Sequence, residues 1–167
     1  MDLPIDREAA DHERTMGGYD TDDACRSKSD FFQRYFYGYQ FNRLEYYDRF
    51  LRRHLRRGDE VLSLGSGRCA NELLLLEDGY HITCSDMTTW NAYRETKVLF
   101  PQFEHIPLDI LRGPSGKPYD TIMCLGLIYL FDERELYVFF RHVSQSLKIG
   151  GHLILDGAGS PDNRCPT

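Results

Sequence analysis

The sequence predicts an α/β protein built on a mostly parallel sheet, and three observations carry that prediction. From Glu60 onward, short apolar runs alternate with segments of helical period. The run Tyr119–Leu125 is almost continuously apolar, which suits a parallel strand covered on both faces. Gly65-Ser66-Gly67 directly follows the first apolar run and opens a helical segment, a turn at which a ligand can approach the backbone.

Each element has its own signal. Val61-Leu62-Ser63-Leu64 is the first strand, ending at Gly65. Asn71–Glu77 is a leucine-rich helix stopped by Asp78-Gly79. His81–Ser85 is the second strand, ending at Asp86. Thr88 or Thr89 caps a helix that runs to about Phe100 and closes at Pro101. Phe103–Leu108 is the third strand, ending at Asp109, and Gly113–Pro118 is a loop. Tyr119–Leu125 is the fourth strand. Asp132 and Glu135 make a capping box ahead of a helix with Leu136, Phe139, Phe140, Val143 and Leu147 on its apolar face. Gly150-Gly151 is expected to end that helix, with His152–Leu155 as the fifth strand. Helices of this length between strands imply right-handed crossovers.

Upstream the chain reads differently. Residues 1–30 hold nine acids against four bases and form an acidic, loosely packed lead-in. Residues 31–58 are aromatic and Arg-rich. Phe41, Leu44, Tyr47, Leu51 and Leu55 follow the helical period, Arg52, Arg53, Arg56 and Arg57 crowd its last turn, and Gly58 is the expected stop.

Composition excludes several classes. With 41% hydrophobic and 28% charged residues, the 167-residue chain suits a soluble globular protein of one-domain size. No apolar run approaches a bilayer span, and the acidic N-terminus has no signal-peptide pattern. A net charge of −6 argues against nucleic acid as the partner, although Arg43–Arg57, with six Arg against two acids, makes a local basic face. The five Cys form no C-x-x-C pair, so neither a zinc site nor a thioredoxin motif is expected, and they fit a reducing, cytoplasmic compartment.

Ligand-binding features converge at the strand ends. The glycine turn offers free N–H groups at a helix start. Asp86, 21 residues after Gly65, can accept hydrogen bonds from ribose hydroxyls, and Asp109 can accept from a base amine. Taken singly, each has a plainer reading, as a bare turn, a helix cap or a loop acid. Together they point to a nucleoside-bearing ligand. Gly65-x-Gly67-x-x-Ala70 also satisfies the dinucleotide fingerprint, which leaves an NAD-dependent oxidoreductase as an alternative.

Five segments resemble the class I S-adenosylmethionine-dependent methyltransferases: Val61–Cys69, His81–Met87, Pro107–Ile110, Tyr119–Gly126 and Leu147–Leu155. The resemblance spans Glu60 to about Asp156. It implies a Rossmann-like three-layer sandwich with strand order 3-2-1-4-5, and a cofactor domain over residues 59–167 with a lid over 31–58. It also implies S-adenosylmethionine as cofactor, with the backbone of Gly65, Ser66 and Gly67 along its amino-acid portion. Asp86 would hold the ribose and Met87 would lie on the adenine face. Asp109 and Ile110 would border the adenine, and Cys124 and Leu125 would approach the methionine moiety. Ser63 and Cys69 depart from the family pattern, which favours an acid and a glycine there, and Ser63 removes a carboxylate that favours the cofactor's ammonium.

Members of that family continue through two further edge strands, so this chain is expected either to be part of a longer protein or to associate with a second copy through its exposed sheet edge. Methyl transfer is a direct displacement that needs alignment and dryness more than a fixed set of catalytic groups, and none is evident. His54 reads as an exposed residue of the Arg-rich helix, and His81, His105 and His152 read as structural. Asp156 and Tyr129 stand near the acceptor side, with loop acid and helix packing as their plainer readings. Tyr35, Tyr37 and Tyr39 are candidates for the lid, with packing the alternative. The leading function is methyl transfer to a small-molecule acceptor. A methyltransferase-like module that binds cofactor without activity is the second reading.

Overall fold

The computed structural model describes residues 25–37, 50–89 and 92–156. Five parallel strands form one sheet: β1 (Glu60–Leu64), β2 (His81–Asp86), β3 (Glu104–Pro107), β4 (Tyr119–Cys124) and β5 (Leu147–Leu155). Their spatial order is 3-2-1-4-5, as expected. The helices are α1 (Lys28–Phe32), α2 (Arg52–His54), α3 (Ala70–Glu77), α4 (Ala92–Leu99) and α5 (Glu133–Ser146). A wide π turn, Gln33–Tyr37, follows α1, and a 3-10 turn, Ile128–Leu130, follows β4.

The period of two along each strand sorts its side chains between two cores. Val61, Ile82, Cys84 and Met123 face one core with Phe31, Tyr35, Leu73, Leu76 and Tyr93. Leu62, Leu64, Ile122 and Cys124 face the other with Ile110, Phe139 and Val143. β4 is therefore buried on both faces, which explains its continuous apolar run. The two cores make the sheet the middle of three layers.

α5 begins as expected. The Asp132 carboxylate accepts from Glu135 N at 2.8 Å, and the Glu135 carboxylate accepts from Asp132 N at 3.0 Å. Its end is a correction. The helix stops at Ser146, and β5 starts at Leu147, opposite Tyr119, rather than at His152. Gly150-Gly151 lies inside the strand. The register jumps from Tyr119–Leu147 to Thr121–His152, so β5 bulges there, with Gly150 at φ +79°. A Cβ on Gly151 would lie 2.8 Å from the Asp120 carbonyl oxygen. The glycines serve close approach between strands, not helix termination.

A second correction lies upstream. α2 ends at His54, because Leu55 is extended at φ −90°, ψ 133°. Arg56 and Arg57 fall beyond the helix, and Arg57 Nη1 donates to the Asp78 carbonyl at 2.6 Å. The expected helical positions Phe41, Leu44 and Tyr47 lie outside the described residues, as do the acidic segment through residue 24 and the tail from residue 157. Among the described residues no helix is long and apolar enough to cross a membrane, no acid, His or Cys cluster could hold a metal ion, and Cys25, Cys69, Cys84 and Cys124 are free thiols.

Gly151→Ala tests the strand bulge. The added methyl meets backbone that cannot rotate away, so the variant should lose about 1–3 kcal/mol of unfolding free energy in urea titrations. Gly113→Ala, where a Cβ meets nothing within 4 Å, is the control and should remain within about 1 kcal/mol of wild type. Equal stability for the two variants would remove the close approach as the reason for Gly151.

Candidate functional site

The carboxyl ends of β1, β2 and β4 lie side by side, with Leu64 in register with both Ser85 and Cys124. The loop leaving β1 is strapped to the end of β2. Ser66 N and Ser66 Oγ both donate to the Ser85 carbonyl at 2.9 Å, and Ser85 N donates back to Ser66 Oγ at 2.9 Å. One residue on, Gly67 N donates to Asp86 Oδ2 at 3.1 Å. Asp86 is buried, and its Oδ1 accepts from Thr88 N at 3.4 Å. The glycine turn and the second-strand acid thus form one unit.

The glycines are needed there. Gly65 and Gly67 have φ of +62° and +51°. A Cβ on Gly65 would come within 2.8 Å of Leu127 Cδ2, whereas one on Gly67 would meet nothing within 4 Å although Gly67 is buried. There is room above the Gly67 peptide.

Tyr93, Glu72 and Arg68 also shape this place and were not singled out from the sequence. Tyr93 of α4 donates its hydroxyl to the Gly67 carbonyl at 2.7 Å, so the Gly67 residue is held from both sides. Burial pushes that phenol well above its usual pKa, keeping it a neutral donor. Ser63 Oγ donates to Glu72 Oε1 at 2.7 Å, and both residues are buried. A carboxylate from the first turn of α3 therefore stands against the strand position that lacks one. Arg68 Nη2 donates to Tyr35 Oη at 3.0 Å with its guanidinium 4.4 Å from the Tyr35 ring centre, which ties the segment after α1 to the glycine loop. The only legible hints were Ser63 in place of an acid, a Glu three residues after Cys69, and a ring in the helix after Asp86.

Other candidates fall as follows. Met87 is half-buried beside Asp86. Asp109 Oδ1 accepts from Leu111 N at 3.0 Å, and Oδ2 pairs with Arg112 Nε at 3.2 Å, so the acid also caps its own turn. The Ile110 side chain belongs to the second core, and its carbonyl lies 2.7 Å from His142 Nδ1. Cys124 is fully buried. Desolvation, with the Asp156 charge, pushes its thiol up to about 12. Leu125 is partly buried against the first core. Asp156 accepts from Gly126 N, pinning the loop after β4 to the end of β5. Tyr129 is exposed, and Tyr35 is buried among Phe31 and Arg68. The side chains of Tyr37 and Tyr39 lie outside the described residues. His152 Nε2 lies 3.0 Å from the His54 carbonyl and 3.3 Å from Thr121 Oγ1, and the His54 side chain is exposed.

No protein-family model matches the chain, and no curated protein matches it. Solved structures do. The glycopeptide N-methyltransferase MtfA superposes with a TM-score of 0.63 at 21% identity over 69% of this chain and 53% of that one. Further structures of MtfA hold S-adenosyl-L-homocysteine, S-adenosyl-L-methionine or sinefungin. A TehB-like SAM-dependent methyltransferase from Corynebacterium glutamicum gives 0.58 at 19% identity over 68% and 62% of the two chains. The DhpI–SAH complex gives 0.63 at 18% over 86% and 67%. The chain has the class I methyltransferase fold. It spans about half the length of the MtfA structure it matches.

His105 gives a pH test of the wall behind the loop. Its ring lies 4.1 Å from that of Tyr93, its Nε2 has no hydrogen-bond partner among the described residues, and burial lowers its pKa to about 4. The unfolded chain takes up this proton below about pH 6.5, and the folded chain only below about 4. Protons in that window favour the unfolded state, so stability should fall as pH drops from 6.5 towards 4. Urea midpoints of wild type and His105→Gln across this range check it. The variant should lose part of the slope, and parallel profiles would refute the assignment.

Proposed function

We propose that the chain is an S-adenosylmethionine-dependent methyltransferase acting on a small-molecule acceptor. The observation that carries this reading is the Gly67 residue, buried yet with open space above it and hydrogen-bonded to the Asp86 carboxylate. The fold shared with methyltransferases solved with S-adenosyl compounds supports it.

The residues present fit such a cofactor. The backbone of Gly65, Ser66 and Gly67 would border its amino-acid portion. The Glu72 carboxyl group, held by Ser63, stands near the end of β1, where it would border the cofactor's ammonium. Asp86, which accepts from Gly67 N and Thr88 N, would hold the ribose diol. Met87 and the Asp109–Ile110 turn would border the adenine, and Cys124 and Leu125 the methionine chain. When bound, the cofactor supplies a methyl group on a positively charged sulfur. The chain's own task is to align the acceptor and exclude water. With its pKa near 12, Cys124 stays a neutral thiol and serves as wall rather than nucleophile. Asp156 is engaged in holding the Gly126 loop, so no dedicated base is assigned.

In this reading residues 31–58 would serve as a lid for the cofactor domain of 59–167, and among the described residues the Tyr35–Arg68 contact supports it. The free thiols support a reducing, cytoplasmic setting. The outer edge of β5, with Ile149 fully exposed, supports association with a second copy. Ser63 in place of an acid favours a second reading, in which the module binds cofactor without transferring methyl. An assay with labelled methyl donor separates the two.

Calorimetry with S-adenosylhomocysteine tests the binding directly. Wild type should bind it, and Asp86→Asn, which keeps the side-chain shape, should weaken binding at least about tenfold by removing charge-assisted hydrogen bonds. NAD should give no heat. Unchanged affinity in Asp86→Asn, or binding of NAD alone, would overturn the reading.

A further inference from the structure

The turn after β4 has a composition that the fold alone does not explain. Residues 124–131, Cys-Leu-Gly-Leu-Ile-Tyr-Leu-Phe, contain no charge. The beginning of this segment is anchored to the candidate site. Gly126 N donates to Asp156, and the Leu127 side chain lies against Gly65. Its underside is used for packing, with Ile128 and Phe131 on the second core. Its tip is not. Within one 3-10 turn, closed by Leu130 N to the Leu127 carbonyl at 3.0 Å, Tyr129 is 59% exposed and Leu130 44% exposed.

A single exposed apolar side chain is ordinary. Here an aromatic and an aliphatic group adjoin each other one turn from the glycine loop, at the strand ends where ligands of open α/β sheets bind. The charged residues that follow this turn along the chain are Asp132, Glu133 and Arg134, all exposed, and Asp156 accepts from Gly126 N at its start. Among these residues acids outnumber bases three to one.

We propose that Tyr129 and Leu130 form the acceptor platform and that it takes an aromatic small molecule that is neutral or cationic, not anionic. This rests on the methyltransferase reading, because it takes the site beside Gly65 to be where transfer occurs. The ring of the acceptor lies against Tyr129 and the Leu130 side chain, and the carboxylates repel an acid on the same scaffold.

Indole, tryptamine and indole-3-acetate share one ring and differ in charge, and saturation-transfer NMR with protein saturated by S-adenosylhomocysteine compares them. Indole and tryptamine should bind, with indole-3-acetate at least about fivefold weaker. The double variant Tyr129→Ala/Leu130→Ser should bind tryptamine about tenfold more weakly, since most of the apolar contact is gone. Both side chains are exposed, so the variant should fold, and its S-adenosylhomocysteine affinity should match wild type. Equal tryptamine binding in wild type and variant, preference for indole-3-acetate, or no binding of any of the three by a protein that binds S-adenosylhomocysteine would overturn the acceptor proposal alone. Failure to bind S-adenosylhomocysteine would instead remove the methyltransferase reading, and the proposal with it.

Discussion

The Gly67 residue, gripped by Asp86 on one side and Tyr93 on the other, is the constraint on which the site depends. A turn with two left-handed glycines has little intrinsic preference for one shape. Its shape is imposed by hydrogen bonds from neighbouring elements, each contributing about 1 kcal/mol and more where a carboxylate is involved. Those bonds exist only because β1 and β2 pair in a register that sets Leu64 beside Ser85. Sheet register, loop shape and the open space above Gly67 are one structural fact seen at three scales.

The electrostatics of the strand ends follow from the same arrangement. Glu72, Asp86, Asp109 and Asp156 bring four carboxylates to this end, and each already accepts from a hydroxyl or a backbone N–H. Arg68 is turned onto Tyr35 and Arg112 onto Asp109. A ligand bearing an ammonium and a sulfonium is well matched to this surplus of negative charge, and a phosphate-rich one is poorly matched. The same surplus sets the sign preferred at the platform beside it.

Local signals made the sheet and part of the candidate site's geometry legible. The strands of Glu60–Leu64 and Tyr119–Cys124, the glycine turn and Asp86 are written in short runs whose patterns need no partner to be read. What failed locally was decided by tertiary contact. Gly150-Gly151 has the composition of a helix stop, but its role is to let β5 approach the Asp120 carbonyl. Arg56 and Arg57 suited a helix end, but Leu55 is extended and Arg57 finds the Asp78 carbonyl. Glu72, Tyr93 and Leu127 became site residues only once the sheet set their elements beside the loop. Asp109 was legible as a strand-end acid, while its engagement by Leu111 N and Arg112 depends on a turn that composition does not specify.

Amide chemical-shift mapping with S-adenosylhomocysteine measures the central claim most directly, because it reports where a ligand sits without requiring turnover. The account predicts that the first and largest shifts fall on Gly65, Ser66, Gly67, Asp86 and Met87, with the groove at the opposite end of the sheet, lined by Glu60, Tyr80, His81 and Gln102, left undisturbed. Shifts confined to that opposite groove, with the glycine loop silent, would contradict it.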